Sequence, residues 1–155
     1  LNYTNKTQNF YPVKGVWTLE QRPFVASTAI EAGTAVSIQV VTSNPTGNLI
    51  AAPVSQATGQ NIVGILAETI ATTDSDYATA GKLRGVWIPI DANCEFTGPV
   101  GSGTFTLADV GRTCALVTGG KSVAVDTNGN ACTITKFISS TRLQAKFNMA
   151  PIQTA

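Results

Sequence analysis

The sequence predicts an all-β protein, an antiparallel β-barrel or β-sandwich of short strands. Apolar and polar residues alternate over residues 142–149, and several shorter runs are rich in β-branched residues. Gly, Pro or Asn interrupts these runs roughly every ten residues. This punctuation is typical of antiparallel sheets rather than of alternating strands and helices.

The clearest strand is predicted at residues 142–149, where Leu143, Ala145, Phe147 and Met149 alternate with polar residues. Alternation at every second position is the period of a strand that buries one face. The end of the chain should therefore form a strand with those four side chains turned toward the core.

Three further strands are predicted from shorter runs. Val36, Ile38 and Val40 alternate with polar residues, which again indicates one buried face. Residues 62–70 and 85–90 are richer in apolar and β-branched residues, so these strands should be covered on both sides or lie at an interface.

Helix is predicted to be rare, with at most one or two short helical turns. Residues 106–109 form one candidate because Thr106 and Asp109 have the spacing of a capping box. Residues 74–80 form the other.

The first 22 residues differ from the rest of the chain because they are rich in aromatic residues but show no sustained strand or helix period. Such side chains supply a large contact area at a small entropic cost, so they suit an extended arm that docks on a partner. The alternative is a strand that packs on its own barrel. The candidate docking anchors are Tyr3, Phe10, Tyr11 and Trp17.

The predicted domain organisation is an extended N-terminal arm at residues 1–22 and a single β-barrel domain at residues 23–155. If the arm docks on a partner, deleting residues 1–16 should abolish that binding and leave the thermal transition of the barrel nearly unchanged.

Charge is scarce and evenly balanced. The 155 residues include ten Lys and Arg and nine Asp and Glu, a net charge of +1, and 12% are charged, where about 25% is usual. The basic residues are scattered, so the stripe that neutralises nucleic-acid phosphates is missing. No apolar run is long enough for a membrane helix. Neither a nucleic acid nor a membrane is therefore an expected partner.

Histidine is absent, which removes the commonest general base and metal ligand. Cys94, Cys114 and Cys132 are widely spaced, and buried reduced thiols are the favoured interpretation. A non-enzymatic protein with no catalytic residue, no cofactor and no metal is expected.

The segment that begins at Asp126 resembles the start of a calcium loop because oxygen-bearing side chains stand at alternate positions. Such a loop requires Gly at its sixth position and Glu at its twelfth. These positions hold Ala131 and Phe137, so a bound cation is not expected.

A β-hairpin is the favoured interpretation of the same segment. Asn128 and Gly129 stand between two alternating runs, and both accept the positive φ of a type I′ turn. The hairpin would pair Val123 and Val125 with the strand at residues 132–138.

Five acidic residues could in principle supply a catalytic carboxylate pair of the kind that glycosidases use. Nothing in the sequence brings any two together, and a solvated loop is expected at residues 74–76, with a turn at residues 91–93. Trp87 is expected in the core, with an exposed sugar-binding ring as the alternative. The five acids are Glu68, Asp74, Asp76, Asp91 and Glu95.

An ordered series of segments resembles the head decoration, or capsid cement, proteins of tailed bacteriophages. The resemblance spans roughly residues 30–148. It is carried by residues 30–36, 61–68, 84–90, 107–112 and the Asn-Gly pair at 128–129.

That resemblance implies a small β-barrel that binds the outer surface of an assembled capsid and bridges neighbouring capsid subunits. The implied partners are the major capsid protein and further copies of this chain, commonly as a trimer. The protein would be made in the host cytoplasm and reside on the virion. The alternatives are a carbohydrate- or receptor-binding module of a phage tail or cell-surface protein and, less favoured, a small glycan-processing enzyme.

Overall fold

The computed structural model describes residues 9–38, 47–51 and 62–148, and these residues form eleven strands and one turn of 3-10 helix. The predicted all-β class is confirmed. The strands are β1 (Tyr11–Lys14), β2 (Trp17–Phe24), β3 (Ala35–Ile38), β4 (Leu49–Ala51), β5 (Ile62–Leu66), β6 (Lys82–Pro89), β7 (Glu95–Ser102), β8 (Thr113–Leu116), β9 (Val123–Asn128), β10 (Cys132–Ser139) and β11 (Arg142–Phe147).

Five strands close into a barrel in the order β2-β4-β3-β5-β6. Most of its pairs are antiparallel, and β2 with β4 is parallel. The barrel has its own apolar core, which is the strongest stabilising term available to a small domain. That core comprises Phe24, Ile30, Val36, Leu49, Leu66, Ile70 and Val86.

The other six strands form a sheet in the order β1-β7-β11-β10-β8-β9. Strand β9 also pairs in parallel with β7, so β7, β11, β10, β8 and β9 form a ring of five strands. Strand β1 pairs with β7 outside this ring. Three phenylalanine rings pack together in its core. The Phe96 and Phe147 rings are stacked with their centroids 4.2 Å apart, and Phe10 packs edge-on against Phe96 at a centroid distance of 4.9 Å.

One cross-strand row links the two sheets. In the barrel, Ala35 pairs with Ile65, Ile65 with Trp87, and Trp87 with Leu19. Directly opposed residues share a sheet face. The row lies on the outer face of the barrel, because Ala35 and Ile65 belong to the core of the six-stranded sheet and Trp87 packs against that core. Leu19, at the end of the row, is exposed.

The strand predicted at residues 142–149 is confirmed over Arg142–Phe147, where Leu143, Ala145 and Phe147 are buried and the intervening residues are half-buried. Met149 lies outside the described residues. This strand follows its local pattern because one face covers the core and the other carries long polar side chains.

The predicted alternation around Val36 is only partly correct. Strand β3 buries Val36 as expected, but it also buries Ser37 and leaves Ile38 exposed. A shift in the register between β3 and β5 after Val36 breaks the alternation there. Val40 lies outside the described residues.

The two apolar runs also form strands, with shifted ends. The run at residues 62–70 forms β5 only as far as Leu66, and Ile70 makes an isolated bridge with Ile30. Residues 85–89 of the second run belong to the longer strand β6, and Ile90 follows its end. Both strands lie between the two cores, which agrees with their unbroken apolar pattern.

The predicted hairpin at Asn128–Gly129 is wrong. Strands β9 and β10 follow one another in the chain, but β8 lies between them in the sheet. Gly129 does not have a positive φ. It is a glycine because a Cβ there would lie 2.8 Å from the backbone nitrogen of Ala115.

The helical turn predicted at residues 106–109 is confirmed as the 3-10 turn Leu107–Asp109. The Asp109 carboxylate accepts a hydrogen bond of 2.9 Å from the backbone N–H of Thr106. Residues 74–80 contain turns rather than a helix.

Candidate functional site

The described part of the N-terminal segment lies in the two sheets. Strand β1 pairs with β7, and β2 pairs with β6 along its whole length, so residues 11–14 and 17–22 match the alternative of strands that pack on their own barrel. Burial supports this pairing at two positions: Trp17 packs against the core of the six-stranded sheet, and Phe24, at the end of β2, belongs to the barrel core. Residues 1–8 lie outside the described residues.

The four predicted anchors fall in different places. Tyr3 lies outside the described residues. Phe10 is 2% exposed and packs on Phe96, so it is a core residue and does not serve as a surface anchor. Tyr11 and Trp17 are half-buried and line a common groove.

This aromatic groove has a volume of about 320 Å³. Gly15 forms the turn between β1 and β2, with φ of 82°, and a Cβ there would lie 2.7 Å from the Cα of Cys94. The tight turn brings the tip of β1 against the start of β2. The groove is lined by Tyr11, Pro12, Val13, Lys14, Gly15, Trp17 and Trp87.

Register places Trp17 and Trp87 on the same face. Trp17 is opposite Pro89 and Leu19 is opposite Trp87, so these side chains alternate with those that enter the barrel. The indole Nε1 of Trp17 donates a hydrogen bond of 2.9 Å to the Lys14 carbonyl, which orients the ring across the groove. Trp87 is thus half-buried between the core and the surface, intermediate between the two predicted positions.

An exposed apolar surface extends from this groove, and we call it the β2–β6 face. It comprises Trp17, Leu19, Pro23, Leu83, Trp87 and Pro89, which alternate along the two paired strands. Leu19 and Leu83 are 53% and 55% exposed. Val13, Val16 and Ile90 lie at the groove end and are also exposed. Gln21 and Gly85 pair with each other on the same side, between the Leu19–Trp87 and Pro23–Leu83 pairs. A partner that covered this face would remove apolar side chains from water on both sides of that polar position.

A polar network lies behind the groove. Glu95 is 9% exposed and accepts hydrogen bonds from Thr135 and Gln144, while Lys14 forms an ion pair with it at 3.0 Å. Burial opposes ionisation of Glu95, but these donors outweigh it and hold the pKa below the ordinary value. The carboxylate is therefore satisfied within the protein.

A second charged cluster surrounds Arg84, at the other end of β6. Arg84 is 9% exposed and forms ion pairs with Asp74 at 3.0 Å and Asp76 at 2.6 Å, and Glu68 lies 3.7 Å away. The loop at residues 74–76, for which the sequence predicted only a solvated position, is thus held against the barrel by its ion pairs with Arg84. The sequence signal was a charged residue inside an apolar strand, since a buried charge requires partners.

The pKa values within this cluster follow its hydrogen bonds. The backbone N–H of Ala71 and then Arg84 lower the pKa of Asp74, and the hydrogen bond from Arg84 lowers the pKa of Asp76. Lys82 is buried beside them and donates to the carbonyls of Val25 and Tyr77. Burial lowers the pKa of Lys82. Because the acids are held by a guanidinium, the cluster acts as a structural clamp.

All three cysteines are free and buried. Cys114 and Cys132 are opposed on β8 and β10, and burial raises the pKa of both thiols. Cys94 Sγ donates to the Val16 carbonyl at 2.9 Å. These thiols agree with the predicted buried, reduced state.

The described residues contain no group of three His, Cys, Asp or Glu side chains that could hold a metal ion. Asp126 accepts hydrogen bonds from the hydroxyls of Ser102, at 2.9 Å, and Thr127, at 3.2 Å. The contact with Ser102 connects β9 with β7 at their parallel pairing.

Comparison with known proteins adds no family to this description. Within the described ranges, no helix is long and apolar enough to span a bilayer. No protein-family model, curated protein or solved structure matches the chain.

Proposed function

We propose that this chain is a non-enzymatic structural protein of a tailed-phage virion, which binds the outer surface of the assembled capsid and bridges neighbouring capsid subunits. The observation that supports this proposal is the exposed β2–β6 face. It continues the row that joins the two sheets, from buried Ile65 through half-buried Trp87 to exposed Leu19. An apolar surface of this kind suits a permanent partner.

The scarcity of charge supports the same interpretation. In a protein that neighbours cover, polar uncharged side chains make association more favourable than charged ones, because burying an unpaired Lys or Glu costs free energy. Some of the charges near the candidate face follow this rule, since Lys14 is paired with Glu95 and Arg84 is paired with Asp74 and Asp76. Glu20, on β2 itself, is exposed.

The proposed mechanism is stabilisation by selective binding. A protein that binds the assembled shell and not its free subunits shifts the equilibrium toward the shell, and many bound copies act together. The proposed partners are the major capsid protein and two further copies of this chain in a trimer. The proposed location is the outer capsid surface, after synthesis in the host cytoplasm. The mechanism uses no cofactor.

The direct experiment mixes the purified protein with undecorated, expanded phage heads and with free capsid subunits. The proposal predicts co-sedimentation with the heads, saturation at a fixed number of copies per head, and a higher temperature of head disruption. Absence of the protein from the sedimented heads at saturating concentration would contradict the proposal.

A carbohydrate-binding module is the second candidate, and a specific observation favours it. Tyr11, Trp17 and Trp87 line one groove, and sugar rings stack on exposed aromatic side chains. Retention on glycan columns, lost in a Trp87→Ala variant and accompanied by no binding to phage heads, would favour this function over capsid binding.

A further inference from the structure

The barrel and the ring of five strands share one topology. When the strands of each unit are numbered in chain order, both units pair them in the order 1-3-2-4-5 and close from the fifth back to the first. In both units the first and third strands are parallel and the other pairs are antiparallel. The same fold unit therefore occurs twice along the chain, first as β2 to β6 and then as β7 to β11.

The registers of the two units also match. The corresponding cross-strand pairs are Ala35–Ile65 and Thr113–Thr133, Leu66–Val86 and Ile134–Ala145, Gln21–Gly85 and Thr97–Gln144, and Phe24–Leu49 and Val100–Val123. Gly33 and Gly111 precede the second strand of each unit, with φ of 86° and 95°. Their N–H groups donate to the fourth strand at 2.7 and 2.8 Å. Each residue of β2 therefore has a defined equivalent in β7.

Strand β1 has no counterpart in the barrel. It pairs with the first half of β7, where Tyr11 lies opposite Thr97. The matching edge of β2, on the side away from β6, is paired only at Phe24, with the short strand β4. Among the described residues, no strand lies beside residues 19–21, which are the equivalents of residues 95–97.

Burial shows the same difference between the two units. Glu95 and Phe96, beside β1, are 9% and 0% exposed. Leu19, Glu20 and Gln21 are exposed at three consecutive positions. Exposure on both faces of β2 at this point is what an uncovered edge strand shows.

The backbone of β2 directs hydrogen-bonding groups toward this edge. Alternate residues of a strand bond to opposite neighbours. The carbonyls of Val16 and Phe24 accept hydrogen bonds on the β6 side, at 3.4 and 2.9 Å. Residues of the same parity bond to β6, so Leu19 and Gln21 direct their N–H and C=O groups to the other edge. Such a row of backbone groups is a template for a further strand.

We propose that this edge of β2 receives an extended strand of a partner protein, antiparallel to β2, as β1 completes the equivalent edge of β7. Main-chain hydrogen bonds to Leu19 and Gln21 provide the affinity, and side chains provide the selectivity. An apolar residue opposite Leu19 extends the β2–β6 face, and a basic residue opposite Glu20 pairs with its carboxylate. Strand binding at this edge does not depend on the proposed capsid function.

Amide hydrogen exchange of the full chain tests whether the edge is open. The amides of Leu19 and Gln21 should exchange with solvent at least about tenfold faster than the amide of Thr97, which β1 covers. Equal protection of the three amides would show that this chain or a second copy already covers the edge, and would overturn the proposal.

A synthetic peptide, acetyl-Thr-Lys-Val-Thr-Ile-Thr-amide, is the binding probe. In antiparallel register it places its Lys opposite Glu20 and its Val opposite Leu19. NMR titration should produce saturable shifts and slower exchange at the amides of Leu19 and Gln21, with no change at Thr97. Absence of saturable shifts up to the solubility limit of the peptide would overturn the proposal.

An N-methylated peptide and a pair of variants test the main-chain hydrogen bonds. Methylation of the Val nitrogen removes the donor to the Leu19 carbonyl and should weaken binding at least about tenfold. Gln21→Pro removes one outward N–H but no bond to β6, and Pro23 already occupies the same edge. This variant should melt near the wild-type temperature and bind the peptide about three- to tenfold more weakly.

Gln21→Ala is the matched control, because it removes the same side chain and keeps the N–H. It should bind the peptide as wild type does. Equal affinities of Gln21→Pro and Gln21→Ala, or of the two peptides, would contradict strand addition. The titration contains no phage heads, so its failure and a failure of capsid binding are separate results.

Discussion

Arg84 carries a nearly buried charge whose partners come from a loop eight to ten residues earlier in the chain. Its guanidinium bonds both carboxylates and thereby fixes the loop against the barrel. The spacing of Asp74 and Asp76 in the sequence indicated only a polar loop, because side-chain pairing depends on how strand β6 returns past it. The charge inside an apolar strand was the local sign that a partner existed.

Replacing Arg84 tests this clamp. Arg84→Leu should lower the melting temperature by about 5 °C, since it removes charge-assisted hydrogen bonds and leaves two carboxylates facing each other. Arg112→Leu is the control, because Arg112 is more exposed and its ion pair with Asp109 is looser at 3.7 Å. Thermal unfolding by circular dichroism measures both, and equal losses would contradict the clamp.

The same cluster predicts an acid dependence of stability. The folded protein holds the pKa values of Asp74 and Asp76 below the ordinary value of 3.8, so their contribution is complete above that value. It is lost as the pH falls through the lower folded-state pKa. The melting temperature of an Asp74→Asn, Asp76→Asn double variant should therefore fall less than that of wild type between about pH 5 and about pH 2.5.

Glu20→Gln, which changes an exposed acid outside the cluster, is the control for this pH series. It should follow the wild-type profile. A double variant with the same slope as wild type would show that the two carboxylates do not contribute to the acid transition.

At the scale of elements, local periodicity predicted strands better than it predicted their partners. The alternation at Leu143, Ala145 and Phe147 is a property of one strand and is correct in the structure. Strand β9 pairs with the preceding strand β8 and, in parallel, with β7, so its partner is not the strand that follows it in the chain. The Asn-Gly pair indicated a turn but not the close approach of Gly129 to Ala115 that requires glycine.

A Gly129→Asn variant distinguishes the predicted hairpin of β9 and β10 from the observed order, in which β8 lies between these strands. A type I′ hairpin would accept Asn, whereas here its Cβ would lie 2.8 Å from the Cβ and backbone nitrogen of Ala115. We expect a loss of about 2 kcal/mol in the free energy of unfolding, from overpacking. Gly81→Asn is the control: Gly81 has φ of 81° and open space around it, and should lose about 1 kcal/mol or less.

Urea unfolding of both glycine variants provides the measurement. A Gly129→Asn protein as stable as wild type would favour the hairpin and contradict the observed strand order.

The N-terminal strand changes the expected effect of truncation. Deleting residues 1–16 removes β1 and the buried ring of Phe10, so the free energy of unfolding should fall by more than about 3 kcal/mol. Phe10→Ala in the full chain should reproduce a large part of that loss. A calorimetric transition unchanged by the deletion would restore the interpretation of residues 9–16 as a separate arm.

At the scale of the whole molecule, the two sheets share one apolar interface that continues onto the surface. The sequence predicted the β class from its alternating and β-branched runs and from the turn residues between them, but it could not predict two sheets with separate cores. That division depends on long-range pairs such as β2 with β6 and on the parallel contact of β7 with β9. The row from Ile65 to Leu19 likewise combines residues from three strands and has no local signature.

One pair of variants tests the proposed binding of the capsid by the β2–β6 face most directly. Leu19→Glu places a charge at the centre of this face, and Leu107→Glu places the same charge at an exposed leucine on the 3-10 turn. Both should melt near the wild-type temperature. We predict that Leu19→Glu co-sediments with undecorated phage heads at least tenfold more weakly than wild type, while Leu107→Glu binds normally. Wild-type binding by Leu19→Glu would contradict the claim.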